Sequence, residues 1–339
     1  MILVGSPAPP SASVIIPIVN EEQDIEQCLS AVFSQEYDPE LVELIVIDGG
    51  STDRSKEVAA AAFARSPFAR NELLPNTGGN TPSNLNRGLA AAHGDIVVRV
   101  DARSVIPADY VSRVVDILEN RPEVVVVGGA QMPRARPDSG MMAQAIARAL
   151  RNPYLTGLSR YRLRERSGPS DTVYLGAFRR SELNRVGGWN EAFGTNQDYE
   201  LNRRMALLGT VWFESSLQVV YRPRETLWAL GAQYRRFGRW KAAAWLEAGA
   251  MSRRHAAILT AAALGLFFFP RWVLGRPAPR GAIALAAALR LEATVGEPGG
   301  PAVRILALAA NGTSTVAWLV GVIEQAIRFS LGLRLIQRG

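Results

Sequence analysis

The sequence predicts an α/β protein: a mostly parallel sheet interleaved with helices, followed by C-terminal helices that lie on and cross a membrane. Three observations carry this. Short apolar runs alternate with segments of helical spacing, the pattern of strand–helix–strand units with right-handed crossovers. Three apolar runs end at polar or acidic residues: Ser13 to Val19 at Asn20-Glu21, Val42 to Ile47 at Asp48-Gly49-Gly50-Ser51, and the run after Asp95 at Asp101. Open α/β sheets bind ligands at that strand edge. Finally, charge is divided along the chain. Residues 1–225 carry 24 basic and 27 acidic groups, whereas residues 226–339 carry 14 basic and 4 acidic, a net of +10 set among long apolar runs.

Taken in order, Ser13 to Val19 reads as the first strand and Glu22 to Ser34 as a helix. Val42 to Ile47 is the second strand. Ser51-Thr52-Asp53 then reads as a helix N-cap, with Arg54 to Ala64 continuing as helix. Asn76 to Pro82 is a loop, and Ser83 to Ala92 a short helix feeding the strand that ends at Asp101. Pro107 opens a helix to Asn120, with proline in its first turn. Val124 to Val127 is a strand stopped by Gly128-Gly129. Residues 131–170 form a long excursion, helical from Met141 to Leu150. Thr172 to Phe178 is a strand, Arg180 to Val186 a helix, and Asp198 to Leu208 a helix stopped by Gly209. Val211 to Phe213 and Leu217 to Tyr221 are short β pieces.

Beyond Thr226 the composition changes. Trp228, Tyr234, Phe237, Trp240 and Trp245 lie among arginines between Leu227 and Arg254, which suits amphipathic helices at a membrane interface. Ala256 to Pro270 and Ile305 to Ile323 are uncharged, the second for 19 residues, close to the ~20 that span a bilayer. Gly281 to Leu289 is too short to span alone. At least two membrane helices are expected, a third staying open; a buried helical core in a soluble protein is the competing reading. The expected division is 1–225 catalytic, 226–254 interfacial and 255–339 membrane-associated.

Several classes are excluded or disfavoured. One cysteine, Cys28, rules out an internal disulfide, and its helical spacing with Ile25, Leu29 and Val32 makes it a core residue. His93 and His255 are too few and too far apart for a histidine metal site. The basic residues are interleaved with apolar runs, which favours lipid over nucleic acid as partner. Met1 to Ser13 has no basic start and no long apolar core, so it does not read as a signal peptide, and the N-terminal domain is expected in the cytoplasm. The turn Val19-Asn20-Glu21-Glu22 lacks the glycines of a dinucleotide fingerprint, which argues against a nicotinamide oxidoreductase.

Five motifs follow one another. They are Pro17-Ile18-Val19-Asn20-Glu21; Asp48-Gly49-Gly50-Ser51-Thr52-Asp53; Asn84-Leu85-Asn86-Arg87-Gly88 with Asp101-Ala102-Arg103; Gly176-Ala177-Phe178-Arg179 with Gly187-Gly188-Trp189-Asn190; and Gln197-Asp198-Tyr199-Glu200-Leu201. In order and spacing they resemble the family-2 inverting glycosyltransferases over roughly residues 13–240, closest to membrane-bound enzymes of exopolysaccharide (succinoglycan-type) synthesis. The resemblance implies a Rossmann-like GT-A glycosyltransferase domain, followed by the interfacial and transmembrane helices. It also implies an activity: transfer of a sugar from a nucleotide-diphosphate sugar, UDP-linked, to a lipid-linked or glycan acceptor at the cytoplasmic face of the inner membrane. By the same resemblance Pro17, Glu21 and Asp48 hold uridine, Asn86 and Arg87 lie near the nucleotide, and Asp101 binds ribose or a divalent metal, Mg²⁺ or Mn²⁺. Asp198 is the general base that inversion requires. Gln233, Arg236, Arg239 and Trp240 resemble the Gln/Arg/Trp motif that closes over diphosphate and acceptor. As an Asp at a helix start, Asp198 gains from the helix dipole, which favours its ionised form.

Two departures bear on this. Arg103 stands where the family usually has an acidic or histidine residue; an arginine cannot ligate the metal but can bind diphosphate oxygens bidentately. Continued strand alternation would pair Arg103 with Asp101. Gln197 stands where a glutamate usually precedes the base. Together they leave a second reading open: a membrane-tethered nucleotide-sugar-binding module without catalysis.

Overall fold

The computed structural model describes residues 9–152, 161, 166–249, 251, 256, 259–260, 288 and 300–333. The chain divides into two compact units, Met1–Arg134 with Gly157–Arg222, and Ala135–Thr156 with Pro223–Gly339.

The first unit is built on a nine-stranded sheet. Its strands are β1 (Ala12–Ile18), β2 (Val42–Asp48), β3 (Arg70–Pro75), β4 (Ile96–Arg99), β5 (Ser104–Val105), β6 (Val124–Pro133), β7 (Gly168–Pro169), β8 (Tyr174–Arg179) and β9 (Thr210–Tyr221). The order is β3-β2-β1-β4-β8-β6-β9-β5, with β7 on β9. The half from β3 to β4 is parallel, as the alternating pattern predicts. Beyond β4 the sheet is mixed, because β8 runs antiparallel to both β4 and β6 while β6 and β9 are parallel.

Helices cover both faces. Ile25, Cys28 and Leu29 of α1 (Ile25–Phe33), Ala59 and Ala62 of α2 (Ser55–Ala62) and Val111 and Val114 of α4 (Tyr110–Asn120) pack with Val98 and Val100 on one side. On the other, Val97 and Ile15 meet Leu85 of α3 (Thr81–Ala91), Leu183 of α6 (Arg180–Arg185) and Leu201 and Met205 of α7 (Gln197–Met205). Valines 97 and 98 thus face opposite ways, the strand period of two read directly. Cys28 is a buried core residue, as its spacing predicts, and burial pushes its thiol well above the usual range.

Several details differ from the sequence reading. β4 stops at Arg99, so Asp101 lies in the turn beyond, closed by Ser104 N–H on the Asp101 carbonyl at 2.8 Å. Gly128-Gly129 do not end β6, which runs on to Pro133. A Cβ at Gly129 would come within 2.0 Å of the Leu217 carbonyl oxygen, so the pair permits a close approach of β9 at a register shift rather than a stop. The two β pieces after Gly209 are one strand, β9. β3 has no counterpart in the sequence reading: it is an edge strand whose residues are half-buried or exposed, so it carries no apolar run.

In the second unit, α5 (Met141–Leu150), α8 (Leu227–Ala248) and α9 (Pro301–Ser330) pack together. Helices α8 and α9 cross where a Cβ on Gly238 would lie 2.1 Å from the Trp318 carbonyl oxygen and one on Gly321 2.0 Å from that of Arg235. Two small residues allow this backbone contact. Among the described residues α9 is the one helix long and apolar enough to cross a membrane; 33 % of its most apolar stretch is buried, and Ile305, Val316, Val320, Ile323 and Ile327 are exposed. Most of the expected helix over 256–270 and of the open one over 281–289 lies outside the described residues.

Candidate active site

The site is assembled at the C-terminal ends of β1, β2 and β4. The loops after β1 and β2 are stitched together. Asn20, in a left-handed conformation (φ 55°), donates its N–H to Ser51 Oγ at 3.0 Å and accepts from Thr52 N–H at 2.9 Å, and Glu21 N–H donates to Ser55 Oγ at 2.7 Å. Pro17 is half-buried in β1, in register with Ile47. Asp48, 5 % exposed at the end of β2, accepts Ser51 N–H through Oδ1 at 2.9 Å. Its other oxygen has no partner among the described residues. Arg54, not the expected Ser51-Thr52-Asp53, is the N-cap of α2, and Asp53 just before it accepts from Ser55 N–H and Oγ.

Glu21 and Arg103 form an ion pair at 2.8 Å, both side chains largely buried. A cleft of about 210 Å³ opens beside them, lined by residues 20–24, Asp53 and Arg103; neither Asp101 nor Asp198 lines it. The expected pairing of Arg103 with Asp101 does not occur. The chain turns at residues 101–104, so strand alternation lapses, and Asp101 is held instead by Arg99, two residues earlier on β4.

Arg99 is the residue the sequence reading missed. Its side chain is 4 % exposed; Nε lies 2.9 Å from Asp101 Oδ1, and Nη1 bonds to Asp198 Oδ1. Position 99 reads in sequence as one more residue of a strand, and nothing local announces a charge bridging segments 99 residues apart. Asp198 sits in the first turn of α7, after Asn196 in a left-handed conformation (φ 64°). Its carboxyl is raised above the usual range: desolvation raises it most, Arg99 opposes this, and Asp101 raises it again. The net direction is opposite to that expected from the helix dipole alone. Its side chain still keeps 43 % of its surface open. Glu200, by contrast, is committed to Arg204 at 2.6 Å.

Of the other expected residues, Asn86 clamps the loop before α7: it accepts from Trp189 N–H at 2.8 Å and donates to the Trp189 carbonyl and to Glu191. Arg87 is exposed on α3. Neighbouring Asn84 is 1 % exposed, and its Nδ2 is buried without a partner among the described residues. Gln233, Arg236, Arg239 and Trp240 all lie on α8, in the second unit. There Arg239 is 3.8 Å from Glu324 of α9, which also accepts from Arg235 at 2.9 Å, while Arg236 is exposed.

A parallel half-sheet with an acidic edge, joined by a guanidinium to a carboxylate from a later helix, agrees with the GT-A glycosyltransferase fold that the sequence resemblance implies. Residues 13–187 match the model of glycosyl transferase family 2, and the chain belongs to that family. The chain is 29 % identical to the succinoglycan biosynthesis protein ExoA of Rhizobium meliloti over 245 residues, covering 71 % of this chain and 72 % of that protein. It is 27 % identical over 199 residues to the dolichyl N-acetyl-alpha-D-glucosaminyl phosphate 3-beta-D-2,3-diacetamido-2,3-dideoxy-beta-D-glucuronosyltransferase of Methanococcus voltae, covering 56 % of this chain and 60 % of that one. Among solved structures it shares the fold of the mannosyltransferase PcManGT from Pyrobaculum calidifontis, solved with GDP-Man and Mn²⁺. The TM-score is 0.55 at 24 % identity, covering 94 % of this chain and 86 % of that one. The expected recognition, fold class and enzyme class are thereby met: the protein is a family-2 glycosyltransferase that uses a nucleotide sugar, similar to exopolysaccharide enzymes.

Proposed function

We propose that this glycosyltransferase works with inversion, moving a sugar from a UDP-linked donor to a lipid-linked or polysaccharide acceptor at the cytoplasmic face of the inner membrane. The observation that carries the reading is the juxtaposition of Asp101, on the donor side, with Asp198, on the acceptor side, through Arg99.

On this reading Pro17 and Glu21 border the uridine and the open oxygen of Asp48 accepts the uracil N–H. Asn86 shapes this pocket through the Trp189 loop, and Arg87 supplies charge nearby. The residues present fit a divalent ion in one way. Asp101 Oδ1 is taken by Arg99, and no group of three acidic, histidine or cysteine side chains that could hold a metal occurs among the described residues. Mg²⁺ and Mn²⁺ sites that use one carboxylate and complete their shell from substrate phosphates and water match this donor set, so Asp101 would hold the ion. When bound, the ion would offset the charge that builds on the leaving diphosphate.

Asp198 takes the proton of the acceptor hydroxyl. The hydroxyl oxygen forms its bond to the anomeric carbon from the face opposite the donor's C–O bond, and that bond's electron pair leaves with the diphosphate. Arg103 steadies Glu21 beside the nucleotide. Gln233, Arg236, Arg239 and Trp240 of α8 serve the diphosphate and the acceptor, the exposed Arg236 by charge and Trp240 by stacking on sugar or isoprenoid. Residues 1–225 form the nucleotide-sugar and acceptor domain, 226–254 lie at the interface and 255–339 are membrane-associated. The +10 charge, α9 and the succinoglycan-synthesis relative support that placement.

The test is release of UDP from a panel of UDP-hexoses by the full chain in native membrane vesicles. Sugar-dependent release is expected. UDP binding without release from any sugar would favour the non-catalytic binding module.

A further inference from the structure

The alternation of β4 fixes what belongs at position 99. Val98 and Val100 point into the core beneath α1 and α4, and Val97 into the core beneath α3 and α7. Position 99 therefore points toward α7, where its neighbour Val97 is wholly apolar and fully buried. A guanidinium there, 4 % exposed, is costly to desolvate unless it is paired. It is paired twice, through Nε to Asp101 and through Nη1 to Asp198, and the two carboxylates keep 33 % and 43 % of their surface open. The arginine is thus shut away while the groups it holds stay partly open to solvent. A planar fork with donors in fixed directions can serve two carboxylates at once; an ammonium on a flexible stem holds neither direction.

We propose that Arg99 is the positioning residue of the transfer step: it aims the Asp198 carboxylate at the acceptor hydroxyl and ties that aim to Asp101 on the donor side. This rests on the reading of Asp198 as the base. Arg99 touches no substrate; it acts through Asp198. The base and the donor-side carboxylate come from segments far apart in sequence, and without a shared partner they would repel one another and part. A misplacement of about 1 Å in a reacting group costs on the order of 100-fold in rate.

The experiment is a double-mutant cycle on the full chain in native membrane vesicles, reading UDP release from whichever UDP-hexose of a panel the wild type turns over fastest. Affinity for UDP itself is measured alongside. Arg99→Lys should lower kcat by about 10- to 100-fold, while donor KM and UDP affinity move by less than about 3-fold. In the Asp198→Asn background the same substitution should cost less than about 2-fold, because the group it acts through is already gone. Arg99→Gln, which keeps amide donors and removes the charge, gives a second reading if the lysine variant folds poorly. A strut that merely holds the fold would show losses of equal size in both backgrounds, in step with thermal stability; that result, or wild-type kcat in both variants, overturns the proposal. A wild type silent with the whole panel would sink the transferase reading and this inference together. An active wild type with an equally active Asp198→Asn variant removes the base, and Arg99's role with it, while leaving the transferase intact.

Discussion

Arg103 Nε and Glu21 Oε2 face each other at 2.8 Å, both side chains less than one-fifth exposed. The arginine that stands in the usual acidic position is therefore spent on the loop after β1 rather than on the carboxylate two residues before it. Its positive charge neutralises Glu21, which would otherwise be a buried acid near an anionic donor.

This pair leads to a prediction about the donor. Arg103→Ala leaves Glu21 half-buried and without that partner, so donor KM should rise by about 10-fold, with kcat changed less. Steady-state kinetics over a donor series checks it; an unchanged KM with kcat abolished would instead place Arg103 on the leaving diphosphate.

Removal of divalent metal is the second. With Asp101 as the protein ligand, excess chelator should abolish turnover, and Mg²⁺ or Mn²⁺ should restore it. Full activity in chelator would leave the guanidinium groups as the positive charge that the leaving diphosphate needs.

The pH dependence follows from the direction of the Asp198 shift. A base must be ionised to work, and this carboxyl titrates above the usual range of 3.8 because burial outweighs Arg99. Turnover should therefore be low in acid and rise along a limb displaced above the ordinary carboxylate range. A limb at or below that range in the kcat profile would contradict the assignment.

Much of this was legible in sequence, and the exceptions share a cause. Strands β1, β2 and β6 carry apolar runs, so their place in the core could be read directly, and Asp48 and Asp198 were marked by the turn or helix start beside them. Arg99 was not marked, because its meaning depends on a partner 99 residues away. The pairing of Arg103 escaped for a related reason: strand periodicity holds only while the strand does, and β4 ends two residues before Asp101. The edge strand β3 buries too little to show a pattern.

Stability has its own anchor at the opposite sheet edge. Glu43, 8 % exposed, accepts from Ser13 Oγ at 2.6 Å and from His93 N–H, and pairs with Arg70 at 2.8 Å. Burial raises its carboxyl, but these hydrogen bonds and Arg70 outweigh that and hold it below 4.5. A carboxylate whose folded pKa is lowered stabilises the fold above its unfolded value, and the benefit is lost as pH falls through the folded value. Glu43→Gln should therefore lower stability at pH 7 by about 1.5–3 kcal/mol, with the difference shrinking in acid, as followed by thermal unfolding. An unchanged difference at acid pH would count against the charge being the cause.

The central claim is inverting transfer with Asp198 as base, and the anomeric configuration of the product tests it most directly. With an α-linked UDP-hexose donor, NMR of the transferred sugar should show a β-linkage, and Asp198→Asn should lower its formation by about 100-fold or more while UDP affinity holds. An α-linked product, or undiminished transfer by Asp198→Asn, would contradict the account.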